Sequence, residues 1–238
     1  MALGLNERFI YDHPQTGLIV CSGLLILLLL YNAATWSNPA DKPLFCLLLV
    51  PLLRILSLTL PLNHFPLIYW YLWPSIPMLA ALTLVVRRLN WTWSEVGITR
   101  PNWCFQLLVA SSGPVIGLIH YFILKPEPLI ETLTLRQALW PALILLAATG
   151  FVEELIFRGV IQRALTEVVG GLAGLYVAAL YAMLNMGYQS ALNLLFVFAA
   201  SLFFSWIVAR THTLLGVALA HGLANLGLFL VWPFAGIG

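Results

Sequence analysis

Thr149-Gly-Phe-Val-Glu-Glu-Leu-Ile-Phe-Arg-Gly159 lies inside an otherwise apolar segment that runs from about Leu139 to Leu165. The flanking pattern is that of a membrane-spanning helix, so Glu153, Glu154 and Arg158 are ionisable groups placed in lipid. Each costs roughly 2.5–3.5 kcal/mol at a helix centre, and the three together about 8–10 unless pairing or water relieves them. Glu154 and Arg158 are four apart, share a helix face and can pair in the favourable acid-before-base order. Glu153 is turned by about 100° from Glu154 and has no opposite charge on its own face. It therefore needs a partner from another helix or a water-filled cavity. Two readings follow: a reactive carboxylate in a cavity within the bilayer, or a buried salt bridge that fixes helix packing.

Composition agrees with a membrane setting. The chain has 238 residues, 61% of them hydrophobic and 8% charged, with mean hydropathy +0.95, whereas soluble domains carry about 25% charge. The 11 Lys and Arg are scattered and the formal net charge is +2, which excludes a nucleic-acid surface. Cys21, Cys46 and Cys104 are odd in number and lack Cys-x-x-Cys spacing, so they read as small core residues. The start of the chain, with Glu7, Arg8 and Asp12, shows no basic region followed by a small-residue cleavage site, and no removable signal is expected. Asn90-Trp-Thr92 matches a glycosylation sequon but falls on the side expected to be cytoplasmic, where it is idle.

Taken in order, apolar spans run from about Thr16 to Ala34, Leu44 to Leu60, Pro66 to Val86 and Cys104 to Leu124, followed by the acidic span. Ser37 to Pro43 is a turn-rich connection. Arg54 in the second span is read as structural, snorkelling or turned into the bundle. Pro74 and Pro77 near the start of the third, and Gly113-Pro114 in the fourth, predict kinks. Three arginines and three tryptophans between Arg87 and Trp103 suit a link lying at the membrane surface. Leu172 to Ala209 carries no charge and is too long for one crossing; Asn185-Met-Gly-Tyr-Gln-Ser190 divides it into a sixth and a seventh span, with Asn185 close to the outer end of the sixth. An eighth span covers about Leu214 to Trp232. The expected fold is all-α, a polytopic transmembrane helical bundle with about eight spans in one membrane domain: helices and a link near 87–103 over 1–137, and a second part, 138–238, that carries the chemistry. The positive-inside rule puts the Arg87–Trp103 link, Lys42, Arg163 and Arg210 in the cytoplasm, against Arg8, Lys125 and Arg136 outside.

The last span carries His221-Gly-Leu-Ala-Asn225, two polar side chains four apart on one face. A lone histidine in an apolar helix is ordinarily a packing residue. Here Glu153 also needs a partner, and a Glu and a His in one cavity can share base and electrostatic work on a water molecule. His64, His120 and His212 fall near span ends and are read as interface or packing residues, and His13 precedes Pro14 in the N-terminal tail with no partner. No His-Glu-x-x-His, Gly-x-Ser-x-Gly or Gly-rich phosphate loop occurs.

With both motifs in hand, the chain resembles the CPBP family of intramembrane proteases, which includes the type II CAAX prenyl endopeptidases and bacteriocin-immunity-type members. Glu153-Glu-Leu-Ile-Phe-Arg158 matches its Glu-Glu-x-x-x-Arg motif and His221-x-x-x-Asn225 its His-x-x-x-Asn motif. Where the family has Phe-x-x-x-His, this sequence has Tyr181-Ala-Met-Leu-Asn185, keeping the aromatic and losing the histidine. The resemblance implies that Glu153 activates water for attack on a peptide bond, that His221 and Asn225 steady the water or the developing oxyanion, and that Glu154 and Arg158 hold the helix and its charge balance. The family histidine is thought to act on the attacking water, in one version through a divalent metal such as zinc. Asn185 cannot take up a proton and is a poor zinc ligand, and Glu153, Glu154 and His221 alone form a sparse metal site.

Two functions are carried forward. One is an intramembrane endopeptidase acting on a membrane-anchored or lipidated peptide. The other is a family member without hydrolysis, a binding, assembly or scaffold subunit of a membrane protein complex. A transporter is a third, weaker reading, opposed by the absence of repeat halves. Expected partners are membrane lipids and a membrane-anchored substrate or a membrane complex, without nucleic acid. In a prokaryote the location is the cytoplasmic or an internal membrane.

Overall fold

The computed structural model describes residues 14–35, 41–60, 64–100 and 102–236. Glu7, Arg8, Asp12 and His13, and most of the Ser37–Pro43 connection, lie outside the described residues. Among the described residues, all regular structure is helical. Seven helical runs are long and apolar enough to cross a membrane: Pro14–Ala34, Lys42–Thr59, Tyr69–Arg88, Trp103–Leu124, Leu135–Met183, Ala191–Thr211 and Leu215–Phe234. The protein is an integral, multi-pass membrane protein. Large apolar side chains such as Ile19, Leu27, Leu30, Leu108, Leu135 and Leu195 are exposed on the outside of the bundle, as expected where the solvent is lipid.

The helices are labelled α1 (Pro14–Ala34), α2 (Lys42–Cys46), α3 (Leu49–Thr59), α4 (Tyr69–Arg88), α5 (Trp103–Ala110), α6 (Ser112–Leu124), α7 (Leu135–Ile144), α8 (Gln162–Val169), α9 (Ala173–Met183), α10 (Ala191–Thr211) and α11 (Leu215–Leu226). Between α7 and α8 the rod continues as two π-helical stretches, Leu145–Glu153 and Leu155–Ile161. The acidic motif was read on an α-helix; it lies instead on this wider winding, a form that recurs at functional positions.

The 49-residue run from Leu135 to Met183 is far longer than one crossing needs. It breaks at Gly170–Leu172, where Gly170 has φ 58° and ψ −130°, a conformation that side chains with a β-carbon rarely adopt. Beyond the break α9 folds back along the π-helical stretch, and the Tyr181 ring meets Phe157 edge to face with centroids 4.9 Å apart. With α9 the bundle has about eight rods, but α9 has only 11 residues, about 16 Å of rise and half a crossing. Asn185 is therefore not at the outer end of a full span. It follows α9 directly and shares a cavity wall with Phe196 and Val197, more than a turn inside α10.

Helix α11 sits at the centre, and small residues on two of its faces explain why. A β-carbon at Gly113 or Gly117 of α6 would collide with the backbone carbonyl of Ala220 or Ala224, and one at Gly150 with the carbonyl of Ala218. Gly222 in turn lies against Leu146. Such close approach maximises dispersion contact, which must drive association where lipid is as apolar as the helices. The first turn of α11 is tied down as well: Gly216 N–H donates to the buried Gln106 side chain at 2.7 Å, and Leu214 N–H to Gly97 O at 2.9 Å. The link after α4 is thereby anchored to the core, with Trp91 and Val96 buried and Trp93 exposed. Cys21 and Cys46 are buried, as expected for core residues, while Cys104 is exposed.

Candidate active site

The side chains singled out from the sequence converge from three elements. The π-helical rod contributes Glu153, Glu154 and Arg158; α9 and the residues after it contribute Tyr181 and Asn185; α11 contributes His221 and Asn225. All seven line one cavity of about 270 Å³, far above the roughly 10–15 Å³ that a single water needs.

Within it runs a chain of hydrogen bonds. Tyr181 O–H donates to Glu153 Oε2 at 2.7 Å, and the same hydroxyl oxygen is 3.3 Å from His221 Nε2. His221 Nδ1 donates to Glu154 Oε1 at 2.8 Å; a carboxylate only accepts, which fixes the hydrogen on Nδ1. Arg158 Nη1 reaches the same Glu154 oxygen at 3.0 Å, and its Nη2 donates to Ser201 Oγ and O at 2.6 and 3.2 Å. The guanidinium also lies 5.0 Å from the Tyr181 ring centroid, within cation–π range. Glu154 and Arg158 are 0% and 2% exposed, so the Arg–Glu–His triad answers the charge in place. The partner that Glu153 required is thus the Tyr181 hydroxyl, with His221 one bond further on.

Two predicted residues stand slightly apart. Asn225 Nδ2 donates to Thr149 Oγ1 at 2.9 Å, and Thr149 donates on to Leu145 O at 2.6 Å. Asn185 Nδ2 donates to Tyr181 O at 3.0 Å. Neither bonds to Glu153, yet both border the cavity.

The structure adds residues that sequence reasoning did not assign to the site. His120, read as a span-end residue, lines the cavity; its Nε2 lies 2.8 Å from Asn193 Oδ1 and its ring 4.9 Å from that of Phe196. Arg54 also reaches this wall and donates to Leu184 O. Thr149 and Ser201 complete the hydrogen bonding. A signal for Ser201 was present: Ser201 and Ser205 stand four apart in an apolar helix, as do Glu154, Arg158 and Gln162. Nothing in the sequence marked His120, because its partner is 73 residues away.

The donor set does not suit a resident divalent metal. His221 spends Nδ1 on Glu154 and faces Tyr181 with Nε2, and Glu154 is committed to Arg158. Among the described residues, no three of His, Cys, Asp and Glu are grouped so as to hold an ion.

A helical membrane domain with a buried acid–base cluster at its centre is the class that fold and site define. Residues 135–227 match the family described as type II CAAX prenyl endopeptidase Rce1-like, and the chain carries a CAAX-protease-type membrane domain of that family. The match includes Glu153 to Asn225 but not Arg54 or His120. No curated protein and no solved structure matches the chain.

Proposed function

We propose that the protein is a membrane-embedded endopeptidase that cleaves a membrane-anchored or lipidated peptide with water activated by Glu153. The observation that carries this reading is the setting of Glu153: its one hydrogen bond among the described residues comes from Tyr181, and the carboxylate borders a cavity of mixed polar and apolar lining, roomy enough for water and a peptide bond. In the step proposed, Glu153 takes a proton from water while the water oxygen attacks the scissile carbonyl carbon. The amide hydrogens of Asn225 and the Tyr181–His221 pair face the developing oxyanion. Glu153 then returns the proton to the leaving amine as the C–N bond breaks. Glu154 and Arg158 hold His221 by its Nδ1 and are positioning residues.

A positioned base is worth about 10²–10⁴-fold in rate. Glu153→Ala and His221→Ala are each expected to abolish cleavage of a lipidated peptide in proteoliposomes while the purified variants keep their fold. Cleavage untouched by Glu153→Ala overturns the reading. Tyr181→Phe keeps the ring and removes only the bridging hydroxyl; a loss of about tenfold or more in kcat, with KM little changed, is expected if that bridge matters.

A second reading rests on Asn185, whose amide is spent on the Tyr181 carbonyl and brings no imidazole to the site. It supports a binding, assembly or scaffold subunit of a membrane protein complex. On this reading the wild type cleaves nothing, a stable partner co-purifies in mild detergent, and Asn185→His creates hydrolysis. Failure to recover any partner counts against it.

A further inference from the structure

We propose that a buried polar column joins the candidate active site to a second cavity and hydrates it from the end of the bundle where Glu95 and Arg163 lie. The second cavity, of about 480 Å³, is bordered by Glu95, Gln162, Arg163, Thr166 and His212 among others. The two cavities lie at successive levels along α10: the first is lined by residues between Phe196 and Phe204, the second by Val208, Ala209 and the following His212. Arg158 borders both.

At this neck, Glu154, Arg158 and Gln162 follow one another at four-residue steps and face Ser201 and Ser205, also four apart. Arg158 donates to Ser201, and Gln162 Nε2 donates to Ser205 O at 2.9 Å. These bonds leave a remainder. Glu154 Oε2, Arg158 Nε, Gln162 Oε1 and Ser205 Oγ have no partner among the described residues, although their residues are only 0–4% exposed. Four orphaned polar atoms along one column contradict a dry interior, in which nearly every buried polar group is paired. Water with two to four polar neighbours is the ordinary occupant of such a place. Apolar residues at 162 and 205 would have packed the neck at no cost in orphaned atoms. The passage thus supplies water to the candidate active site.

The test reads hydration rather than cleavage. Gln162→Cys and Ser205→Cys are made singly in a chain with Cys104→Ser and treated with methyl methanethiosulfonate, which attacks only ionised, hydrated thiols. Ile156→Cys, fully buried and bordering neither cavity, is the dry control. Both column thiols are expected to react at least about tenfold faster than the control, because apolar burial suppresses the thiolate. Adding Thr166→Trp, at an exposed position on the second cavity, is expected to slow the reaction of both. If either thiol is as inert as the control, the column is dry at that point and the inference falls. Unchanged labelling with Thr166→Trp overturns entry from that end. Ser205→Cys exchanges a single atom, so the test survives a misfolded Gln162→Cys. Reactive thiols in a chain that cleaves nothing leave the passage standing and sink the protease reading; cleavage with inert thiols does the reverse.

Discussion

The rod that carries Glu154 and Arg158 also carries, one to two turns on, Arg163 and Glu167, and the two charged groups could hardly differ more in setting. Arg158 is 2% exposed and divides its guanidinium between one carboxylate and a serine of α10. Arg163 is about a third exposed, meets Glu95 at 2.8 Å and Glu167 at 3.7 Å, and lies 4.7 Å from the Trp91 ring centroid. Glu167 is shared with Lys42 at 2.6 Å. Identical residue types thus form a committed network at depth and an exchangeable one at the end of the bundle. The comparison teaches that distance alone does not set the worth of an ion pair; what matters is what each charge faces once its partner is gone.

The sharpest way to break the comparison is to remove one buried partner. Arg158→Ala leaves the buried Glu154 carboxylate without its cation and is expected to cost about 3–5 kcal/mol, read from unfolding in mixed micelles titrated with SDS. Replacing both, as Glu154→Leu with Arg158→Met, removes the charge with its partner and should cost less than Arg158→Ala alone, since a buried pair often does no better than apolar residues of its size. A double variant worse than the single would mean that the pair holds the helices in register beyond its charge balance.

At the other end Lys42→Ala is expected to cost no more than about 1 kcal/mol, and the loss should shrink further in high salt. The smallest effect concerns Glu95. Hydrogen bonds from the Thr92 backbone N–H and hydroxyl, with the Arg163 charge behind them, hold its carboxyl below the usual glutamate range. Its contribution is therefore complete above about pH 4.3, the unfolded value, and fades as pH falls through the lower folded one. Carboxyl-carbon NMR of Glu95 should show its titration move part of the way toward the ordinary range in Thr92→Val, and an unmoved midpoint would assign the effect to the backbone N–H that the variant keeps.

Much of the fold was legible because membrane insertion leaves few options for backbone. Runs of apolar residues of the right length gave the spans to within a few residues, as at Pro14–Ala34 and Ala191–Thr211. The sixth span was read between the right residues, Leu172 and the turn at Asn185, yet as a full crossing, because hydropathy marks apolar residues and does not see that the 11 residues of α9 rise only about 16 Å. The π winding through Thr149, Glu153 and Phe157 was equally silent. At the site, the charge cost of Glu153 in lipid demanded a partner but could not name it. Tyr181 was noted only as an aromatic in a family motif, whereas its hydroxyl makes the contact. Thr149, Ser201 and His120 depend on tertiary approach across 43 to 76 residues, a range over which spacing carries no phase.

The glycine seam of α6 has one more implication. Gly113 and Gly117 touch the carbonyls of Ala220 and Ala224, each the neighbour in sequence of a site residue, His221 and Asn225. The seam is a mechanical stop: it sets how far the imidazole and the amide project, through hard contact rather than through any bond they make. One added methyl at either glycine would act as a wedge, tilting both side chains together without touching either.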